Sequence, residues 1–225
     1  MLGWIICGEE RRITLERQVV GGLPFWVLRV PHRRRWLAAR GFTAALREMA
    51  RRGVRRVVVQ GGEVPELALF GMTAVEPWPL RRALLPQLLD WAEREWQLPL
   101  RTSAVLLSAD SSGADTCRAA RLLCQRARYV LLDTGVGQAE LEARLRSTEG
   151  LGVGGGKPVL EVCLRAESRS GVPVLYLGRG CAAQQRLELT ASGLENGEES
   201  LLCALFQAEK LPIEEIHIRF VEFRA

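Results

Sequence analysis

The sequence predicts a Rossmann-like α/β protein, doubly wound around a mainly parallel sheet. Apolar strand-like segments alternate along the chain with segments of helical periodicity, which is the pattern of βαβ units. The segment 104–107 is apolar throughout, as expected of a central strand that is covered on both faces. Residues 103–135 complete a strand–helix–strand unit with a polar loop after each strand.

The composition is that of a globular protein. The chain has 225 residues, of which 48% are hydrophobic and 25% are charged, and this length allows one large domain or two small ones. No apolar run approaches the roughly 18 residues of a membrane-spanning helix. The short apolar start lacks a preceding basic region and is followed directly by acidic residues, unlike a secretory signal. We therefore expect a cytoplasmic protein with no membrane contact.

Residues 1–100 are predicted to form an N-terminal basic α/β region or a smaller domain. The predicted elements are, in chain order, strands at 3–7 and 25–30, a helix at 35–52, strands at 54–60 and 72–75, and a helix at 79–96. Apolar residues spaced three and four apart support both helices. Pro86 lies inside the second helix and predicts a kink there. The segment 98–101 is the candidate boundary to the domain at 101–225.

Residues 101–225 are predicted to form the Rossmann-like domain. The predicted elements are strands at 104–107, 129–132, 151–153, 159–164, 174–177 and 216–223, and helices at 115–127, 140–147 and 198–210. A polar segment joins the strands at 159–164 and 174–177, so these two strands could pair in antiparallel fashion. Pro173 directly precedes the second of them, a position where a strand tolerates proline.

Two polar loops of this domain form the candidate ligand site. Right-handed crossovers bring both loops to one edge of the sheet, and parallel sheets bind ligands beyond the carboxyl ends of their strands. Arg179 lies in a later glycine turn, where it could reach an anionic ligand or simply face solvent. The candidate ligand-binding residues are Asp110, Ser111, Ser112, Gly113, Asp115, Asp133, Thr134, Gly135 and Arg179.

A dinucleotide cofactor, NAD or NADP, fits the first loop only in part. The loop has one glycine, Gly113, whereas the pyrophosphate needs several glycines for close approach to the backbone. Asp133 ends the next strand, where an acid would contact the ribose. The carboxylates of Asp110, Asp115 and Asp133 could instead hold Mg²⁺. A helix cap formed by Asp110, Ser112 or Asp115 is the structural alternative.

One short motif resembles a protease signature. Residues 131–135, LLDTG, resemble the hydrophobic-hydrophobic-Asp-Thr-Gly motif of aspartic proteases, and residues 176–179, YLGR, are similar to a later element of the retroviral type. The resemblance implies a homodimer with Asp133 as the catalytic group, because two aspartates must share a proton. That family is nearly all β, whereas Asp133 lies between two predicted helices.

Positive charge is concentrated in the first part of the chain. The formal net charge is +5, and residues 1–102 hold 17 basic and 10 acidic residues. We expect a solvated helix face here and no nucleic-acid binding, although such a patch can attract anions. The excess centres on Arg33, Arg34, Arg35, Arg40, Arg47, Arg51, Arg52, Arg55 and Arg56.

The six cysteines form no CxxC pair. In a cytosolic chain, scattered cysteines are expected to be small buried apolar residues. Cys117 and Cys124 are seven apart on one predicted helix, and we expect both of them to pack in the core.

The sequence thus predicts a non-catalytic or degenerate nucleotide- or small-ligand-binding protein. The alternatives are an enzyme that uses NAD(P) or another nucleotide cofactor through a divergent loop, and a homodimeric aspartic protease. No acid–base pair stands out, so no reaction is assigned, and Asp133 is the catalytic candidate in either enzyme. A small molecule or nucleotide is the expected partner, no metal site is assigned, and an oligomer is possible.

Overall fold

The computed structural model describes residues 1–10, 12–31, 36–150, 155–168 and 170–223. The chain divides into two compact units: unit 1 comprises Met1–Glu76 and Leu189–Ile216, and unit 2 comprises Pro77–Glu188 and His217–Ala225. The mixed α/β class with mainly parallel sheets is confirmed. The predicted strand at 151–153 lies outside the described residues. A boundary between independently folding domains near residue 100 stays a prediction.

The described part of unit 1 is built on a five-stranded sheet. Its first elements are β1 (Leu2–Gly8), β2 (Thr14–Val20), β3 (Leu23–Pro31), α1 (Trp36–Arg51), β4 (Arg56–Gln60) and β5 (Thr73–Ala74). The strand order is β2-β3-β1-β4-β5, and only the β2–β3 pair is antiparallel. The sequence prediction missed β2. Most residues of this edge strand are exposed, so it lacks the alternation produced by one buried face.

The predicted apolar face of α1 packs into the core of unit 1. Phe42, Leu46 and Met49 are buried in one cluster with residues of β1 and β3. Arg40, Arg47 and Arg51 are exposed. This segregation of apolar and charged residues is what an amphipathic helix requires to cover a sheet.

Part of the predicted basic patch is neutralised locally. The Glu48 carboxylate contacts Arg52 at 2.7 Å and Arg51 at 4.0 Å. The Arg52 guanidinium also lies 3.8 Å from the centre of the Trp26 ring, in cation–π geometry. Arg33, Arg34 and Arg35 lie outside the described residues. The described part of the patch thus includes arginines engaged with their own unit.

Among its described residues, unit 2 contains a four-stranded parallel sheet. Its elements are α2 (Trp78–Ala83), α3 (Leu85–Glu95), β6 (Ala104–Ser108), α4 (Ala114–Arg126), β7 (Tyr129–Asp133), α5 (Gln138–Glu149), β8 (Pro158–Cys163), β9 (Val174–Tyr176) and α6 (Cys181–Gln184). The strand order is β7-β6-β8-β9. The kink predicted at Pro86 is present as a break between α2 and α3 at Leu84.

The antiparallel pairing considered for the strands at 159–164 and 174–177 is wrong. β8 and β9 are parallel, with Glu161 opposite Val174 and Cys163 opposite Tyr176. The Glu161 N–H donates to Pro173 O at 2.9 Å, and the Leu177 N–H donates to Cys163 O at 2.7 Å. The connecting segment therefore carries the chain back to the starting end of β8 instead of forming a hairpin.

The remaining elements follow α6. They are β10 (Gln185–Ala191), β11 (Leu194–Gly197), α7 (Glu199–Gln207) and β12 (Ile216–Phe223). The three strands form a sheet in the order β11-β10-β12. β12 has its predicted bounds, whereas the sequence prediction overlooked β10 although Leu187, Leu189 and Ala191 alternate with polar residues. Among the described helices, none is long and apolar enough to cross a membrane.

A buried arginine anchors α2 within unit 2. Arg81 is 0% exposed. One guanidinium nitrogen donates to Tyr176 O at 3.2 Å and to Cys181 O at 3.1 Å, and another donates to Gln185 O at 2.6 Å. Buried carbonyl groups require donors, so Arg81 fixes the end of β9 and the short helix that follows it.

We expect Arg81→Met to lower the free energy of unfolding by about 3 kcal/mol, because buried carbonyl groups lose charge-assisted donors. Chemical unfolding followed by circular dichroism measures this value. Arg94→Met is the matched control, since Arg94 is exposed on α3, and its effect should stay within about 0.5 kcal/mol. Equal effects of the two substitutions would contradict the anchoring role of Arg81.

Candidate functional site

The two loops predicted to form the site lie side by side. β6 and β7 are parallel neighbours, and their pairing continues past the strand ends. The Ala109 N–H donates to Asp133 O at 2.9 Å, and the Ser112 N–H donates to Val136 O at 3.0 Å. Ser111 and Val136 form an isolated parallel bridge. The loops are therefore bonded to each other through their backbones.

Glycine and threonine in the second loop have distinct structural roles. Gly135 has a φ of +48°, and a Cβ atom there would lie 2.9 Å from Asp110 O. Glycine thus allows the two loops to approach closely. Thr134 is 0% exposed; its N–H donates to Gln138 Oε1 at 3.3 Å, and its hydroxyl has no hydrogen-bond partner among the described residues.

The charged residues predicted for the site are engaged elsewhere or exposed. Asp115 forms an ion pair with Arg82, and Asp133 Oδ2 accepts a hydrogen bond from Arg165 Nη2 at 2.7 Å. Asp110 is exposed, and Arg179 is exposed in the turn before α6. The helix cap considered for Asp110, Ser112 or Asp115 is wrong, because α4 begins after Gly113 without a side-chain cap.

A buried carboxylate that the prediction missed lies beside this edge. Glu161 is 0% exposed within β8. Its carboxylate accepts hydrogen bonds from the hydroxyl groups of Ser108, Ser168 and Ser170. The signal was present in the sequence, because one glutamate interrupts the strand PVLEVC and two serines follow shortly after it.

The surroundings of Glu161 keep its carboxylate ionised. Burial alone would raise the pKa of Glu161, but the three serine hydrogen bonds and the charge of Arg165 outweigh that effect and lower the pKa. Burial raises the pKa of the neighbouring Cys163 thiol, which keeps this thiol protonated and a poor nucleophile. With three hydroxyl donors already bound, Glu161 acts as a structural acceptor.

The topology explains why polar side chains collect here. In the order β7-β6-β8-β9, the chain leaves β6 toward β7 on one side and later returns to β8 on the other. Ligands of open α/β sheets bind at such a switch point. Here Leu164 N–H donates to Ser108 O at 2.8 Å, and Ser168 and Ser170 reach Glu161. The chain's own loop thus contributes the polar contacts at this position.

The loop after β8 is also held by a close contact with Gly178. A Cβ atom at Gly178 would lie 2.4 Å from Leu164 O and 2.8 Å from Arg165 O. A side chain at this position would push against backbone, which cannot rotate away. Gly178 therefore allows the chain after β9 to lie in direct contact with the loop after β8.

A separate cleft lies where α4 begins, alongside α5. It has a volume of about 490 Å³ and is lined by Ser112, Ala114, Cys117, Arg118, Arg121 and Arg144. Among the predicted ligand-binding residues, Ser112 is the one in this lining. The prediction that Cys117 packs in the core is wrong, because the residue is half-buried at the cleft, whereas Cys124 is buried as predicted.

The three arginines of the cleft differ in their contacts. Arg144 Nη2 donates to Cys117 Sγ at 2.5 Å, and the thiol donates to Ser112 O at 3.4 Å. Arg121 Nε lies 3.7 Å from Glu149 Oε1. Arg118 is exposed and forms no hydrogen bond or ion pair with the residues that the structure describes. The cleft therefore presents positive charge that is only partly compensated.

Comparisons with known proteins assign no family. No protein-family model matches the chain, and no curated protein matches it. Among solved structures, the chain is similar to L-tryptophan dehydrogenase from Nostoc punctiforme, with 11% sequence identity and a TM-score of 0.32. The match covers 93% of this chain and 66% of that chain, so this chain spans less than two thirds of the dehydrogenase.

No metal centre is evident in the described residues. No group of three or more His, Cys, Asp or Glu side chains in those ranges could hold a metal ion. Of the carboxylates considered for Mg²⁺, those of Asp115 and Asp133 contact arginines. An Mg²⁺ ion prefers several free oxygen ligands, which two arginine-paired carboxylates do not provide.

We expect Glu161→Gln to lower the free energy of unfolding at neutral pH by about 1–3 kcal/mol, because the serine donors lose a charged acceptor. The folded-state pKa of Glu161 lies below the ordinary value of 4.5. Its stabilising contribution is therefore full above that ordinary value and is lost as the pH falls through the lower folded-state pKa.

Urea unfolding of the wild type and of Glu161→Gln between neutral and acidic pH tests this expectation. The stability difference should be constant at neutral pH and should shrink as the solution becomes acidic. Ser168→Ala removes one donor and should give a smaller loss. If the difference in unfolding free energy between wild type and Glu161→Gln did not change with pH, the assignment of an ionised Glu161 would be wrong.

We expect Gly178→Ala to destabilise the protein by about 1–3 kcal/mol, because the new methyl group overlaps backbone atoms. Gly171→Ala is the matched control in the same region, since a Cβ atom there meets nothing within 4 Å. The control should be neutral or stabilising by up to about 1 kcal/mol. Thermal and urea unfolding of the two variants compare these effects, and equal stabilities would rule out the close contact.

Proposed function

We propose that this protein is a non-catalytic binding protein for a small phosphate-bearing ligand, which it holds in the cleft between α4 and α5. The observation that carries this proposal is the set of Arg118, Arg121 and Arg144 around one concave space. Guanidinium groups bind phosphate through charge-assisted, often bidentate hydrogen bonds. The cleft volume of about 490 Å³ lies within the usual range for small-molecule sites.

The start of α4 adds to this chemistry. The helix has 13 residues, begins after Gly113, and has no side-chain cap, so its first N–H groups have no partner from a capping side chain. The N-terminal end of a helix carries partial positive charge, which favours anions near it. Ala114 and Ser112 belong to the cleft lining, which places this end of the helix at the same space as the arginines.

Two enzyme hypotheses depend on Asp133 and have less structural support. A ribose contact in an NAD(P) enzyme, or a proton shared between two copies in an aspartic protease, requires the Asp133 carboxylate to be accessible. In this structure one oxygen of the exposed carboxylate, Oδ2, is bonded to Arg165, so this oxygen would have to leave Arg165 before it could take either role. In the α4–α5 cleft, Arg118 has no partner among the described residues and can meet a ligand without breaking a contact. A cytoplasmic location and an oligomeric state stay predictions.

A ligand panel tests the proposal. Thermal shift and isothermal titration calorimetry should be run with inorganic phosphate, AMP, ATP, NAD and NADP. Ligand at 100 times its Kd stabilises a protein by about 2.7 kcal/mol, so at least one phosphate compound should raise the Tm clearly. We expect Arg118→Ala to weaken that binding about tenfold, which corresponds to about 1.4 kcal/mol.

Arg146→Ala is the matched control on α5. Arg146 is exposed, lies 3.7 Å from Glu142, and is not part of the cleft lining. Its substitution should leave the affinity within about twofold of wild type. If no compound of the panel binds, or if Arg118→Ala and Arg146→Ala weaken binding equally, the proposed function is wrong.

A further inference from the structure

We infer that the ligand of the α4–α5 cleft is a compact polyanion with at least two adjacent anionic groups, of which inorganic pyrophosphate is the test compound. This inference rests on the proposed function and specifies the chemical class that the cleft recognises. It also implies that a nucleoside attached to the phosphates adds little to binding.

The charge of the lining calls for more than one anionic group. Among the described residues of the lining, three are arginines and none is a carboxylate. Among the described residues, one carboxylate is in ion-pair contact with these arginines. It belongs to Glu149, whose Oε1 lies 3.7 Å from Arg121 Nε. A concave surface of one sign concentrates counter-ions of the other sign. A singly charged ligand would leave part of this positive charge uncompensated.

The placement of the arginines suits two neighbouring anionic groups. Arg118 and Arg121 are three residues apart on α4, and side chains at that spacing are neighbours, about 5–6 Å apart at their Cβ atoms. Arg144 comes from α5 and contributes a guanidinium from the second wall. Two linked phosphates could therefore contact side chains from both helices.

The described residues of the lining offer nothing that recognises a base or a ribose. They include no aromatic side chain, although stacking on aromatic rings is the usual way to hold a base. These described residues also include no carboxylate to accept hydrogen bonds from ribose hydroxyl groups. The other described residues of the lining, Ser112, Ala114 and Cys117, have small side chains. The cleft would therefore recognise its ligand by charge and shape.

Calorimetric titration of the full chain tests the inference with pyrophosphate, orthophosphate, adenosine, AMP and ADP. We expect pyrophosphate to bind at least tenfold more tightly than orthophosphate. The affinity for ADP should lie within about threefold of that for pyrophosphate, and adenosine should not bind.

Variants of the cleft arginines test the site itself. Arg118→Ala, Arg121→Ala and Arg144→Ala should each weaken pyrophosphate binding about tenfold, whereas Arg118→Lys should retain part of the affinity. Affinity for pyrophosphate should also fall with added salt, because exposed charges are screened.

The outcomes separate this inference from the proposed function. If ADP or AMP binds more than tenfold tighter than pyrophosphate, or if adenosine binds alone, the polyanion inference is overturned while phosphate-ligand binding stands. If none of the phosphate compounds binds a protein whose circular dichroism shows it to be folded, both fail. Equal loss of pyrophosphate affinity in Arg146→Ala would place the site elsewhere and would overturn the inference.

Discussion

The buried carboxylate of Glu161 is the constraint on which the carboxyl edge of the unit 2 sheet depends. An ionised group with 0% exposure must be surrounded by donors, because water cannot solvate it. Ser108 supplies one donor from β6, and Ser168 and Ser170 supply two from the loop after β8. That loop is thereby folded against the strand ends, and its Arg165 reaches Asp133 at the end of β7.

This arrangement has a consequence for where a ligand can bind. The switch point of an open parallel sheet is the usual ligand crevice, but here the chain directs its own serines and an arginine toward it. The positive charge that is only partly compensated lies instead along α4 and α5. There Arg118 has no partner in the described part of the chain. Unit 2 therefore contains both the internally bonded edge and the candidate cleft.

Local sequence signals predicted much of the fold. Apolar segments and helical periodicity located β6, α4, β7 and α5 to within a few residues, and Pro86 marked the interruption between α2 and α3. For the site, the sequence indicated that the loops after β6 and β7 would meet, and they do. Ser112 is the predicted residue that lines the cleft, while Asp133 has a partner, Arg165, that no local pattern indicated.

The sequence by itself determined the α/β class, the order of most elements and the polar character of the two loops, because these follow from periodicity and composition over short stretches. The tertiary structure decided that β8 and β9 run parallel, that Glu161 gathers three serines, and that arginines from two helices face one cleft. These features join residues far apart in the chain. Their partners are selected by packing and by the need to satisfy buried charge, which a local pattern does not encode.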